Sequence, residues 1–336
     1  MEHIVHKVGM IGSGSWATAM LKMLGDNLIP KELFWWVRKQ EDLDYVKKYK
    51  HNPTYLSAVE LKVDADRLFL KAKDVIQQSD IVILNTPSAY LKEALADVVA
   101  ADFEGKIVVS AIKGIVPGDN LIMGEFLKQN YGIPLENIVV IGGPCHAEEV
   151  SQEKLSYLTL AAKDSQHAET LGSILQSRYI KTIISSDVLG VEYGAVLKNI
   201  YALAGGICHG LGFGDNFQAV LVSNAIREME RFVLAVDPEE ERDINASAYL
   251  GDLLVTAYSQ FSRNRTFGNM IGKGYTVQSA QLEMNMVAEG YYASDCVQAI
   301  IEKNQLDMPI CNMVYQVLYN RQSALTEVNL LTEKLS

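Results

Sequence analysis

The hexapeptide Gly12-Ser13-Gly14-Ser15-Trp16-Ala17 follows an apolar run and precedes a helical stretch, the setting in which such a turn cradles a pyrophosphate. Gly12 permits the tight turn and Gly14 lets the backbone approach the anion. Ala17 takes the third small position, where helix meets strand. The helix that follows offers free N–H groups and the positive end of its dipole. About 20 residues further on, an NAD-specific site presents an acid to the adenosine 2′-hydroxyl. Here that stretch reads Trp36-Val37-Arg38-Lys39, and the first acids, Glu41 and Asp42, come late. Arg38 is placed for a 2′-phosphate or to stack on the adenine. The expected cofactor is therefore NADPH or NADH, with the phosphorylated form at least tolerated.

Four further segments carry polar groups in apolar or Gly-rich surroundings. Ser110-Ala111-Ile112-Lys113-Gly114 ends one strand-like run, and Gly142-Gly143-Pro144-Cys145-His146-Ala147-Glu148-Glu149 ends another. Ligands of open α/β sheets bind beyond the carboxyl ends of the strands, so both reach one crevice. Gly194-Ala195-Val196-Leu197-Lys198-Asn199 has helical spacing, and Ser262-Arg263-Asn264-Arg265-Thr266-Phe267-Gly268 reads as a polar, basic loop.

The elements that must hold these groups fall into two kinds. In the first half, short apolar runs at 4–11, 33–37, 81–85, 107–111 and 138–141 suit strands buried on both faces of a parallel sheet. Segments such as 16–26 and 91–101 are long enough for crossover helices. Two more runs, 155–161 and 179–186, are expected to extend the same sheet, with an antiparallel sense open to them. The fold class is therefore α/β, an N-terminal Rossmann-like doubly wound sheet. From Asp187, a candidate helix cap, the strand runs stop and helical spacing takes over at 187–210 and 216–236. The remainder reads as helix broken near Asp252, near Gly268–Gly274 and at Pro309. The expected division is a dinucleotide-binding domain at 1–186 and an all-helical domain at 187–336.

Composition narrows the partners. With 336 residues, 49% hydrophobic and 21% charged, the chain can fill two cores. A net charge of −11 opposes nucleic acid and anionic membranes. No apolar run reaches the ~18 residues of a membrane span. The four cysteines form no C-x-x-C pair, so no metal site is expected. Dispersed, reduced thiols and an N-terminus without signal-peptide character give a cytoplasmic expectation. A long apolar helical half leaves room for a homodimer.

Taken in order, these motifs resemble the bacterial type of NAD(P)-dependent glycerol-3-phosphate dehydrogenase. The match runs through the Gly-rich turn, A-x-K-G at 111–114, G-G-P at 142–144 and K-N at 198–199. It continues through L-G-D at 250–252, S-R-N-R at 262–265 and E-G-Y at 289–291. The resemblance implies reduction of dihydroxyacetone phosphate to sn-glycerol 3-phosphate for phospholipid synthesis. It implies nucleotide contacts from Ser15, Trp16 and Arg38, and a Lys113 that touches both cofactor and substrate. Gly143 and Cys145 would line the substrate site, and Ala147 would face the cofactor. Lys198 would be the proton acceptor in glycerol 3-phosphate oxidation. Asp252, Ser262, Arg263 and Asn264 would bind substrate, and Arg263, Val287 and Glu289 would touch the cofactor. The chain departs from the pattern at Ala17, at Cys145 (where a hydroxyl is common), at Ile112 and at Tyr249.

The chemistry agrees with that implication. Hydride delivery to a ketone leaves negative charge on its oxygen, which needs a cation and a proton donor held beforehand. A lysine in a dry crevice meets both needs. Lys198 fits, Lys113 could share the role, and Asp252 could orient the ammonium. Arg263 offers a planar fork to a phosphate, with Asn264 in support. His146 and His209 are of a residue type suited to acid–base work but belong to no required motif, and Cys145 reads as a pocket residue. The rivals are a 3-hydroxyacid or 6-phosphogluconate type of dehydrogenase and a nucleotide sensor without turnover. The S-R-N-R, A-x-K-G and K-N combination opposes the first, and intact Lys198 and Asp252 oppose the second.

Overall fold

Short apolar strands make the first layer. They are β1 (Val8–Ile11), β2 (Leu33–Trp36), β3 (Leu68–Phe69), β4 (Ile81–Leu84), β5 (Ile107–Ser110), β6 (Ile138–Gly142), β7 (Ser156–Ala162) and β8 (Ile180–Ser185). They form one sheet in the order β3-β2-β1-β4-β5-β6-β7-β8. Pairing is parallel from β3 to β6, with Val8 opposite both Leu33 and Ile81. β7 runs antiparallel to β6, and β8 parallel to β7. The expected doubly wound sheet is therefore present, with its chain reversal between β1 and β4. The computed structural model describes residues 6–238, 242–284 and 288–336.

Seven helices of the described residues accompany the sheet: α1 (Ser15–Asn27), α2 (Gln40–Tyr49), α3 (Ala72–Gln77), α4 (Leu91–Ala94), α5 (Met123–Tyr131), α6 (Ala147–Ser151) and α7 (Ser165–Leu175). The core joins Val8, Met10, Trp35, Ile83, Val109, Val139 and Leu160 of the strands to Met20, Leu24 and Leu171 of the helices. The helix expected over 91–101 is only the single turn of α4, followed by a 3₁₀ turn at Ala100–Phe103. Asp102 is the reason, because its carboxylate accepts from the Val99 N–H at 2.9 Å and starts a new turn there.

After Val188 the described elements are helices. They are α8 (Val188–Gly210), α9 (Asp215–Val236), α10 (Asp252–Tyr258), α11 (Arg263–Gly272), α12 (Val277–Glu283), α13 (Glu289–Asn304), α14 (Pro309–Leu318) and α15 (Ala324–Thr332). The chain divides into two compact units, Met1–Ile112 with Met123–Val188, and Lys113–Ile122 with Leu189–Ser336. The segment that begins at Lys113 thus packs with the helices rather than with the sheet it follows in sequence.

One packing feature sets the site. The basic stretch 262–268, expected as a loop, is mostly the first turns of α11. Ser262 caps it, its hydroxyl accepting from the Arg265 N–H at 3.3 Å. Gly206 on α8 and Gly268 and Gly272 on α11 then bring the two backbones together. A methyl on Gly206 would lie 2.2 Å from the Arg265 carbonyl oxygen, and one on Gly268 2.2 Å from that of Leu203. A methyl on Gly272 would lie 2.2 Å from that of Ile207. The helix bearing Lys198 and the helix bearing Arg263 therefore share one fixed spacing.

The N-terminus of α14 is held from α9. Glu228, 2% exposed, accepts from the Ile310 N–H at 2.6 Å and the Cys311 N–H at 3.3 Å. Burial pushes its carboxyl up to about 7, although those N–H groups and Arg231 pull the other way. A carboxyl whose folded pKa lies above its ordinary value stabilises fully below that ordinary value. The contribution fades as pH rises through the folded one. Between about pH 4.5 and 7 this group alone should withdraw up to about 3 kcal/mol. Glu228→Gln should flatten the fall of the denaturation midpoint between pH 5 and 8. Parallel midpoint curves for wild type and variant would mean that Glu228 does not titrate there.

Candidate active site

The Gly-rich turn is built as its sequence requires. Gly12 has φ +152°, and a side chain there would strike the Asn85 carbonyl oxygen at 2.2 Å. The neighbouring strand β4 approaches so closely because the Asn85 N–H donates to the Ile11 carbonyl at 2.7 Å. Trp35 braces the turn from beneath, its indole N–H donating to the Gly12 carbonyl at 2.7 Å. Asn52 braces the far side, donating to the Ser13 carbonyl at 3.1 Å and to the Thr18 hydroxyl at 2.9 Å. Sequence reading missed Asn52, which stands 39 residues from Ser13 and gives no local signal.

Gly14 occupies the N-cap of α1 without a side-chain cap, and a methyl on it would meet nothing within 4 Å. Ser15 and Trp16, both half-buried, begin the helix. An uncapped helix N-terminus beside open space, at the sheet's point of reversal, fits a dinucleotide's pyrophosphate. Arg38 is exposed just past β2, and the nearest acid, Glu41, is paired with Lys39 at 3.2 Å. Gly143 follows β6 with φ +95° and leads to half-buried Cys145, whose thiol donates to the Gly143 carbonyl at 3.2 Å. Ala147 is the first residue of α6, and His146 sits at its N-cap with no side-chain cap bond.

The helical unit gathers the charged residues. Asp252, 1% exposed, opens α10. One of its carboxylate oxygens accepts from the Lys198 ammonium, and the other accepts from the Lys113 ammonium at 3.0 Å. Burial acts to raise the Asp252 carboxyl, but the two ammoniums outweigh it and hold it below the ordinary carboxylate range. Lys198 is 5% exposed in the middle of α8 and donates also to the Thr256 hydroxyl at 3.0 Å. The Thr256 hydroxyl donates to the Asp252 carbonyl at 2.6 Å, so its lone pairs are left for the lysine. Two ammoniums around one carboxylate leave positive charge in excess, a ready partner for an anion or a developing oxyanion.

A second polar chain adjoins the first. The Asn199 amide donates to the Lys113 carbonyl at 2.9 Å and accepts from the Asn264 amide at 2.9 Å. Asn264 in turn accepts from the Gly290 N–H at 2.9 Å. Asn264, expected among the phosphate ligands, thus has both ends of its amide engaged inside the protein. Ser262 serves as the N-cap of α11, Arg263 is exposed in its first turn, and Glu289 is the first residue of α13. Val287 lies outside the described residues. His209 is exposed in the last turn of α8. Sequence reading missed Thr256, whose available signal is its i+4 spacing from Asp252, one helical turn on. Among the described residues, no group of three His, Cys, Asp or Glu side chains is placed to hold a metal ion. None of their helices is long and apolar enough to cross a membrane.

Comparison with known proteins identifies the family. Residues 7–168 match the family described as NAD-dependent glycerol-3-phosphate dehydrogenase N-terminus, and residues 187–329 match its C-terminus. The chain is 32% identical to glycerol-3-phosphate dehydrogenase [NAD(P)+] of Bacillus subtilis, over 97% of this chain and 93% of that protein. To the same enzyme of Latilactobacillus sakei it is 33% identical, over 97% and 96%. The crystal structure of glycerol-3-phosphate dehydrogenase from Coxiella burnetii superposes with TM-score 0.89 at 26% identity, covering 98% of this chain and 99% of that one. A D-mandelate dehydrogenase shares only the fold, at TM-score 0.61 and 16% identity. With its Gly-rich turn, its Lys113–Asp252–Lys198 cluster and these full-length matches, the chain belongs to the NAD-dependent glycerol-3-phosphate dehydrogenase family.

Proposed function

We propose that this chain reduces dihydroxyacetone phosphate to sn-glycerol 3-phosphate with NADPH or NADH, and runs the reverse oxidation. The observation that carries the reading is the buried Asp252 carboxylate shared by Lys198 and Lys113. The bound cofactor supplies or accepts the hydride at C2. Lys198 gives its proton to the C2 oxygen in reduction and takes it back in oxidation. Asp252 stays ionised throughout and holds both ammoniums in place. Lys113 adds a second positive charge to the field in which the oxyanion forms. Thr256 fixes the Lys198 ammonium against rotation.

Gly12 and Gly14 admit the pyrophosphate to the start of α1, with Ser15, Trp16, Arg38 and Ala147 along the nucleotide. Arg263, Val287 and Glu289 complete the nucleotide contacts. Gly143, Cys145, Asp252 and Ser262 line the substrate, and Arg263 reads its phosphate with Asn264 beside it. In this reading residues 1–186 are the dinucleotide-binding domain and 187–336 the catalytic one. The product would feed phospholipid synthesis in the cytoplasm, from a protein active as a homodimer. Oxidation of each reduced cofactor by the purified chain, with and without dihydroxyacetone phosphate, tests the reading. Oxidation that depends on the ketone phosphate is expected, and none with either cofactor would refute it.

Arg38→Asp should weaken NADPH far more than NADH, because attraction to the 2′-phosphate becomes repulsion. Dissociation constants for both cofactors decide it, and equal losses would mean that Arg38 does not read that phosphate.

Arg263→Ala removes a charge-assisted fork, so kcat/KM for dihydroxyacetone phosphate should fall roughly 10- to 150-fold. Unphosphorylated dihydroxyacetone lacks the partner, and its poor turnover should hardly change. Measured at saturating cofactor, equal proportional losses would assign Arg263 to the cofactor or the fold.

A further inference from the structure

We infer that Asn199 and Asn264 act as one unit, a relay of side-chain amides that ties Lys113 to the N-terminus of α13. The role given to Lys113 rests on the proposed function; the relay itself rests on geometry within the helical unit. Each amide uses its oxygen to accept and its nitrogen to donate, so the chain runs in one direction. The Gly290 N–H donates to Asn264 Oδ1, Asn264 Nδ2 to Asn199 Oδ1, and Asn199 Nδ2 to the Lys113 carbonyl, each at 2.9 Å. Asn199 and Asn264 are 5% and 7% exposed, so water does not readily replace a lost link.

Both ends of the relay do something. Ala288, at the N-cap of α13, provides no side-chain cap, and Asn264 supplies the missing acceptor from another helix. Gly290 is pressed onto α8, where a methyl would lie 2.6 Å from the Asn199 carbonyl oxygen. At the other end Lys113 is held twice, its carbonyl by Asn199 and its ammonium by Asp252. Four segments, those bearing Lys113, Lys198, Arg263 and Glu289, therefore meet on two amides. Asn199 and Asn264 are positioning residues for Lys113.

A carboxylate has the size of the amide but cannot donate. Asn264→Asp keeps the acceptor for Gly290 and breaks the middle link. Asn199→Asp keeps the acceptor for Asn264 and breaks the link to Lys113. Hydrogen exchange on the full chain without ligand reads the relay directly. Both variants should speed exchange in the peptide covering 113–116. A change in Asn264→Asp confined to residues around 264 and 289–291 would overturn the relay. Kinetics gives the second readout. Each variant should lose roughly tenfold in kcat, in equal proportion for dihydroxyacetone phosphate and dihydroxyacetone, and the double variant no more than either single one. A loss confined to the phosphorylated substrate would make Asn264 a phosphate ligand only and overturn the proposal. Wild-type chain inert toward both ketones would refute the proposed function and leave the exchange result to decide. Should Asn264→Asp fail to fold, Asn264→Ala is read in the same two ways.

Discussion

Lys198→Ala is expected to lower kcat for dihydroxyacetone phosphate by about 10²–10⁴-fold, the range over which a positioned proton donor contributes. Dinucleotide affinity should be nearly unchanged, since the turn at Gly12 and Gly14 is braced by Trp35 and Asn52 and not by Lys198. The split between the two measurements matters. Lys198 is 5% exposed and its ammonium is held by Asp252 and Thr256. Lys113 keeps its own bond to Asp252 in the variant and preserves part of the electrostatic field, which sets a floor above zero activity. A variant that keeps a tenth or more of wild-type kcat would remove Lys198 from the proton-transfer role.

The second large effect belongs to Asp252→Asn. The substitution keeps the shape and removes the charge that two ammoniums share at 1% exposure. Taking one partner from a buried ionic cluster costs about 3–5 kcal/mol, because the remaining charge stays desolvated. For a chain of 336 residues, at about 2.1 cal/mol/K of unfolding entropy per residue, that is roughly a 4–7 °C fall in melting temperature. The sign with pH is also fixed. In the wild type the Asp252 carboxyl is held below its ordinary range, so its contribution is complete at neutral pH and is lost on acidification. In the variant the strain comes from the cations, so the deficit should shrink as alkaline pH lets a lysine shed its proton. A melting temperature within about 1–2 °C of wild type at pH 7 would mean that the cluster is not the buried ionic centre described here. Turnover should fall with stability, since the amide no longer fixes the Lys198 ammonium.

What could be read in the sequence followed distance along the chain. The turn at 12–17 was legible because strand, glycines and helix are contiguous, and each small residue has a local reason. The buried strands were legible because they are apolar on both faces. The charged cluster was legible only as a set of motifs, since Lys113 and Asp252 are 139 residues apart and Lys198 and Asp252 are 54 apart. Nothing local says that one carboxylate spans two lysines. The stretch 262–268 was misread as a loop because its polar composition hides a Ser262 cap. Its glycines, which look like breakers, are where the chain meets α8. Spacing held the missing clue, as Gly206 and Gly210 recur four residues apart on α8, and Gly268 and Gly272 on α11. The single turn of α4 went unread for a similar reason, because Asp102 competes for the backbone at Val99. Asn199 was visible in its motif, but its reach to Lys113 and Asn264 depends on α8, α11 and the segment after β5 meeting.

Everything proposed for the site depends on hydride reaching C2 of a ketone phosphate while Lys198 supplies the proton to its oxygen. The decisive measurement is product analysis after incubation with dihydroxyacetone phosphate and reduced nicotinamide dinucleotide deuterated at its transferring carbon. The expected product is sn-glycerol 3-phosphate carrying one deuterium at C2 for each cofactor oxidised, formed about 10²–10⁴-fold more slowly by Lys198→Ala. Glycerol phosphate without deuterium at C2, or cofactor oxidation by a 2-keto acid and not by dihydroxyacetone phosphate, would be incompatible with that chemistry.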